Sequence, residues 1–501
     1  MDRRSFIETL ALAAFAADRV RVGDGPARAA APAGAFNGIQ MGPHTILDEG
    51  IERTLDLIAE TAAINAVMPY SHAYNAALVK PLRDRAGHGV PLTDNAGRRF
   101  PLVWVRTHDR YYADTTTLRH QRVDAGLEYA GRDLFAELVE PARRRGMKVY
   151  ARILESSAMS RVVANYGQVV TRDVNGRPTN VACWNHPEYV AFWAGTMEDL
   201  FRSYDLDGVQ WGAERMGPLM NVISPWNNEP PACFCEHCGA RGRAAGVDPD
   251  RAREGYRRLH EYVQGQMGGA ASPPEGRFGG FLRLLIRYPE ILGWEYQYRL
   301  GREAICEAMY SRVKRIKPEA EVGWHVDHQP SSWDLVYRAE MSYAEMAPHA
   351  DFIKIIAYHN VLSPRIGSWY LPRFQKTILG EVPLESSLEL YYDLFGYDKR
   401  LEPSLAELGQ RGFTPDYVFR ETKRSVASAS GRTKIYTGVG FDVPGSPKDD
   451  PETVYQATLR AFAAGAHGIV VSREYEEMKV EHLRAVGRAY REATKGVERR
   501  R

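Results

Sequence analysis

Carboxylates, imidazoles and guanidinium groups stand at the ends of apolar runs all along this 501-residue chain. His44 follows residues 37–42, and His72 follows residues 64–69. Arg152 and Glu155 close residues 148–155, and Glu214 closes residues 207–214. His325, Asp327 and His328 end the run at 321–327, and Tyr358 and His359 the run at 351–358. Asp442 follows residues 434–441, and Arg473 and Glu474 follow residues 467–471. Carboxylates amid aromatic platforms suit a sugar, whose C–H faces stack on rings while its hydroxyls bond to polar side chains. His44, His72, Arg152, Glu155, Asn185, Trp211, His325, Asp327, His328, Tyr358, His359, Arg473 and Glu474 are therefore expected to bind substrate.

Cleavage of a glycosidic bond needs one protonated and one ionised carboxyl group, on either side of the bond. Glu214 is expected to be the acid, its pKa raised by Trp211 and apolar neighbours. Asp442 is the expected partner, kept ionised by backbone amides of the turn at 440–445, with Glu474 and Asp327 in reserve. A separation of about 5 Å would make the reaction retaining, and one of about 6.5–9.5 Å inverting. Two other chemistries fit the same residues. His325, Asp327, His328 and His359 could hold a divalent metal for a lyase, isomerase or hydrolase reaction on a sugar, although no tight ligand motif such as His-Glu-x-x-His is present. A carbohydrate-binding protein without turnover would keep the pocket and lose the reaction.

The elements that must position these groups are eight apolar runs alternating with helical segments, such as 134–145, 187–204 and 451–464. Alternation without a second cluster of strands predicts an α/β fold, a (β/α)8 barrel with long insertions after strands two, four and six. In such a barrel the chemistry sits on the loops leaving the C-terminal strand ends. An open doubly wound sheet is disfavoured, because no glycine-rich phosphate fingerprint follows the first strand. Gly438 and Gly440 alternate along strand seven, where small inward residues open the mouth.

Lys and Arg total 65 against 63 for Asp and Glu, a net charge of +2. That excludes the basic field of a nucleic-acid-binding protein. No run of about 18 apolar residues is present, so the chain is not expected to span a membrane. Residues 1–35 read as a signal segment: Arg3-Arg4 precede Ser5-Phe6-Ile7, then an apolar stretch and an alanine-rich tract. The pattern resembles a twin-arginine export signal, which predicts a periplasmic or extracellular protein with a catalytic domain at 36–501. Cys233, Cys235 and Cys238 are spaced like a metal knuckle rather than a bridge, and Cys306 has the spacing of a core residue.

Residues 183–189 (CWNHPEY), 204–209 (YDLDGV) and 233–238 (CFCEHC) resemble, in this order, TIM-barrel glycoside-hydrolase-like proteins, including β-galactosidases with a cysteine cluster. The resemblance places Cys183 near the other three cysteines, which implies four thiolates for a structural zinc. It also implies an acid at the end of strand four and a carbohydrate or glycoside substrate. One departure stands out. Many relatives carry an inward Asp late in strand four where this chain has Gly212, and Glu214 is the nearest carboxylate on that strand face.

Overall fold

A computed structural model describes residues 34–74, 87–90, 97–328, 334–441, 446–447 and 449–498. Residues 1–33 of the expected export segment and Asp442, the expected catalytic partner, lie outside the described residues. Eight parallel strands close into a barrel: β1 (Phe36–Met41), β2 (Ala66–Ala73), β3 (Lys148–Glu155), β4 (Gly208–Ala213), β5 (Glu321–His325), β6 (Phe352–Ile356), β7 (Lys434–Val439) and β8 (Gly468–Val471). Around the barrel the order is β1-β8-β7-β6-β5-β4-β3-β2. The fold is the (β/α)8 barrel that the alternating pattern predicts.

Inward positions form layers. Toward the N-terminal ends of the strands, Phe36, Tyr150, Phe352 and Tyr436 pack with Ala66, Met68 and Val470 in a core of their own. The Phe36 and Tyr436 rings stack with centroids 4.2 Å apart. Glycines on neighbouring strands receive this bulk. A Cβ at Gly323 would lie 2.2 Å from the Phe352 ring, and one at Gly208 would lie 2.4 Å from Tyr150. Large rings facing glycines fill a barrel too narrow for two rows of side chains.

Two residues further along β2, β3, β4 and β6, and four beyond Phe36 on β1, on the same face, the buried inward side chains turn polar: Tyr70, Arg152, Gln210, Lys354 and Gln40. The change from apolar to polar marks the functional end of the barrel. The alternate positions, among them Ile39, Val149, Trp211 and Ile353, face the helices and belong to the main core.

Between β4 and β5 run five helices, ending with the long Glu290–Ile316. Between β6 and β7 the chain passes from helix His359–Arg365 to helix Pro415–Ala429. The β3–β4 connection carries a small antiparallel pair, Val170–Arg172 with Pro178–Ala182, ahead of helix Pro187–Ser203. Its short polar strands carry too little apolar periodicity to be read from sequence. Among the described residues no helix is long and apolar enough to cross a membrane.

Candidate active site at the barrel mouth

Glu214 leaves the end of β4 and meets His325 from β5, with Oε1 3.1 Å from Nε2. Behind the imidazole, Lys354 Nζ lies 3.5 Å from His325 Nδ1 and is hydrogen-bonded to the Tyr358 hydroxyl. Glycines make this row possible. A Cβ at Gly212 would stand 2.8 Å from His325 Cβ, so the space beside Gly212 is taken up by the imidazole. Cβ atoms at Gly438 and Gly440 would strike Lys354 and Tyr358. The space that these two glycines leave is filled by the Lys354–Tyr358 pair rather than kept as an open path.

The electrostatics reverse one expectation. Burial works to raise the Glu214 carboxyl. The hydrogen bond from His325 and the charge its ring carries once protonated below about pH 4, with the charges of His328 and Arg152, outweigh it and hold Glu214 down at about 2. Trp211 supplies no apolar cover, because it points outward and packs edge-on against Trp193 and Trp324. Glu214 is instead 41% exposed at the mouth and ionised at neutral pH. Burial pulls His325 down to about 4 in spite of its acidic neighbour, so the neutral ring donates Nε2–H to Glu214 and presents Nδ1 as an acceptor to Lys354. Burial, helped by the Arg152 charge, holds the Lys354 amine well below the ordinary lysine range.

Across the barrel, four strands from β4 in either direction, β8 leads to Glu474 and Glu476. Arg152 Nη1 donates to both Glu474 oxygens at 2.8 and 3.0 Å, and the Tyr70 hydroxyl donates to Oε1 at 3.2 Å. The guanidinium also lies over the Tyr70 ring, 4.1 Å from its centroid. Glu474 is thus a clamped carboxylate. Glu476 has no such clamp: among the described residues no guanidinium pairs with it, and Oε2 accepts a long bond from Gly42 N–H, at 3.3 Å. Burial and the Glu474 charge push its carboxyl up to about 8. Both glutamates line a cavity of about 310 Å³ with Gly42, His44, Tyr70 and the loop at 98–104.

Asp327 and His328 hydrogen-bond to each other beside this mouth, and the Tyr370 hydroxyl lies 3.0 Å from His328 Nε2. Arg473 is paired with Glu477. Trp369 and Trp226 lie nearby in the chain's fold around Tyr370, half-exposed and edge-to-face with centroids 5.1 Å apart.

Other expected site residues are placed elsewhere. A register shift in β2 between Tyr70 and His72 turns His72 out of the barrel face, into a buried stack with His120 and Tyr74. Glu155 stands at an outward position of β3, where it pairs with Arg215 at 3.1 Å and accepts from the Tyr189 hydroxyl. His359 binds Asp449 at 3.0 Å beneath the β6–β7 helices. Among the described residues, His325, Asp327, His328 and His359 do not form a metal-ligand set. Tyr70, Lys354 and Glu476 escape the sequence reading: the first two lie inside the barrel below the strand ends, and a short 3-10 turn, Tyr475–Glu477, carries Glu476 back over Gly42.

The cysteines do converge. The Sγ atoms of Cys183, Cys233, Cys235 and Cys238 lie within 4.8 Å of one another, a group that could hold a metal ion. Asn185 belongs here and not to the mouth: its Nδ2 donates to Cys238 Sγ at 3.3 Å. The Arg172 backbone N–H donates to Cys233 Sγ at 3.4 Å, and Cys235 caps helix Glu236–Ala244. Donors and a helix N-terminus favour thiolates. Cys306 is buried apart from them, its thiol pushed up to about 12 by burial.

No protein-family model matches the chain, and no curated protein matches it in sequence. Among solved structures, the polyextremophilic β-galactosidase from the Antarctic haloarchaeon Halorubrum lacusprofundi is similar with a TM-score of 0.50 at 12% identity, over 91% of this chain and 58% of that one. The PgaB (BpsB) glycoside hydrolase domain from Bordetella bronchiseptica gives 0.45 at 13% identity, over 90% of this chain and 98% of the other. The α-L-fucosidase isoenzyme 2 from Paenibacillus thiaminolyticus gives 0.45 at 12%, over 91% and 49%. The chain spans about half the length of the fucosidase. What it shares with these glycoside hydrolases is the TIM-barrel fold.

Proposed function

We propose that the protein is a glycoside hydrolase whose reacting carboxyl groups are Glu214 and Glu476. The observation that carries this reading is the cavity at the C-terminal end of the barrel, lined by a carboxyl that burial keeps protonated, with an ionised carboxylate ending the strand opposite. Glu476 gives its proton to the leaving oxygen. Glu214 acts from the other side, as nucleophile or as base toward water. Glu474, held by Arg152 and Tyr70, fixes the floor of the site beneath the sugar ring. His325 holds Glu214 ionised and oriented, and Lys354, donating to Nδ1, fixes the His325 tautomer from behind.

The test is a panel of glycosides assayed with and without chelator. Hydrolysis that survives chelation and is lost in Glu476→Gln supports the pair. If the folded protein turns over no glycoside in the panel, the hydrolase reading fails. Asp442→Asn, run alongside, tests whether Asp442 rather than Glu476 is the partner of Glu214.

We further propose that the four cysteines hold a structural zinc and that the chain is exported folded by its twin-arginine segment, already carrying the metal. A closed set of four thiolates supplies stability and no open coordination position. Elemental analysis should find about one zinc per chain, with the metal lost in Cys238→Ser. Metal-free protein with a mapped Cys–Cys bridge overturns this. Secretion of a reporter fused to residues 1–40 should fail when Arg3 and Arg4 are both changed to Lys; undiminished secretion overturns the export route.

A further inference from the structure

We propose that the sugar taken by this site is anionic, and that its carboxylate, sulfate or phosphate group docks on Arg99 and Arg161. The inference rests on the glycosidase reading for the sugar, and on the walls of the cavity for the charge. Three arginines line the cavity: Arg98, Arg99 and Arg161. Their situations differ. Arg98 is bound to Asp48 at 2.8 Å and to Glu128 at 2.7 Å, and it lies over the Phe100 ring. Its charge is cancelled within the protein, and its role is to brace the loop.

Arg99 comes from the β2–β3 connection, and Arg161 ends the 3-10 turn Ser157–Arg161 that follows β3. Neither has a carboxylate within ion-pair distance among the described residues. Elsewhere on the same connection Arg122 and Arg132 pair with Asp124 and Glu137. Two guanidinium groups without a carboxylate partner among the described residues therefore border one cavity from separate segments. Apart from them its wall is largely apolar, with Phe100, Leu102, Trp104 and Val162. A planar fork of donors beside an apolar wall suits a carboxylate or an oxyanion carried on a sugar ring.

The acidic groups of the cavity do not oppose this. Glu474 is neutralised by Arg152 at 2.8 Å. Burial keeps Glu476 protonated at neutral pH. Arg99 and Arg161 are the lining cations left without a carboxylate partner among the described residues. An anion held on this side leaves the ring over Tyr70 and the two glutamates of β8. The volume, about 310 Å³, lies at the lower end of the range of about 300–1,000 Å³ for small-molecule sites. It fits one charged residue of a saccharide, not a long stretch of chain.

Binding to the full-length protein is measured by calorimetry. The probes are glucose, galactose and mannose, their uronates, and their 6-sulfates and 6-phosphates. At least one anionic form should bind about tenfold or more tightly than its neutral parent, and the advantage should shrink at high salt. Arg99→Gln/Arg161→Gln should remove most of that advantage and leave binding of the neutral parent unchanged. Both side chains are exposed, so the double variant should fold. The most tightly bound member shows which anion is read. The proposal is overturned if neutral and anionic forms bind alike, if the double variant keeps the preference, or if none of the probes binds. The two readings fail separately. Anionic sugars held through Arg99 and Arg161 without turnover of any glycoside sink the hydrolase alone, whereas turnover of neutral glycosides with no charge preference sinks this inference alone.

Discussion

Glu214→Gln should lower kcat/KM by about 10²–10⁴-fold, the usual worth of a positioned acid–base or nucleophilic group, in a protein that folds as well as the parent. The amide keeps the size of the side chain, and its oxygen can still accept from His325 Nε2–H, so the row behind it is preserved. What is lost is the negative charge, and with it any ability to take a proton or attack carbon. The mouth is open at this position, with the side chain 41% exposed, so the substitution buries no new polar group.

The pH profile gives a second check. Glu214 is ionised down to about 2 and Glu476 protonated up to about 8. The rate should hold through neutral pH and fall as pH rises through about 8, when the acid loses its proton. A profile that falls instead on the acid side near neutrality would give the nucleophile-or-base role to a group other than Glu214, and one that stays flat through about pH 8 would give the proton-donor role to a group other than Glu476. If Glu214→Gln loses stability but keeps a near-normal rate, Glu214 is only a partner for His325.

The barrel was legible because its strands are buried runs separated by helices, a pattern in which each element declares its own type. All eight runs fall on barrel strands, and β2 alone runs well past its expected end, to Ala73, where it continues beside Ile153 and Leu154 of β3. The site was legible as a set of strand ends but not as a set of contacts. Alternation correctly places Glu214 and His325 at the mouth. It cannot register the bulge that turns His72 away, nor the outward parity of Glu155 once the strand reaches its last residue. Nor can spacing give a protonation state. Trp211 is three residues from Glu214 in the chain yet lies on the opposite side of the strand, so apolar neighbours in sequence did not become apolar surroundings. Lys354 sits mid-strand in FIKII, and a lone lysine in an apolar run reads as an edge or an error until the barrel interior is seen.

The ion pair at the floor of the mouth should dominate stability. Arg152 and Glu474 are both almost wholly buried, at 8% and 4% side-chain exposure. Removing one member of such a pair costs about 3–5 kcal/mol, because the other charge is left without compensation. Arg152→Met keeps much of the stem that lies over Tyr70 while deleting the charge, so the loss should come from Glu474. The pH dependence follows from the sign of its shift. Burial already raises the Glu474 carboxyl, and the Arg152 charge is the strongest influence opposing it. Without Arg152 the folded-state pKa rises further above the unfolded value of about 4.3. A carboxyl raised in the folded state costs stability while it must be ionised, and that cost fades as pH falls toward the unfolded pKa. Urea unfolding should therefore show the full deficit at pH 7 and a smaller gap between variant and parent near pH 5. Arg152→Met/Glu474→Met should recover much of the loss, since two apolar side chains leave no charge behind. A single variant within about 0.5 kcal/mol of the parent, the range of an ordinary surface change, would mean that water reaches Glu474 and that the floor of the mouth is wetter than its burial implies.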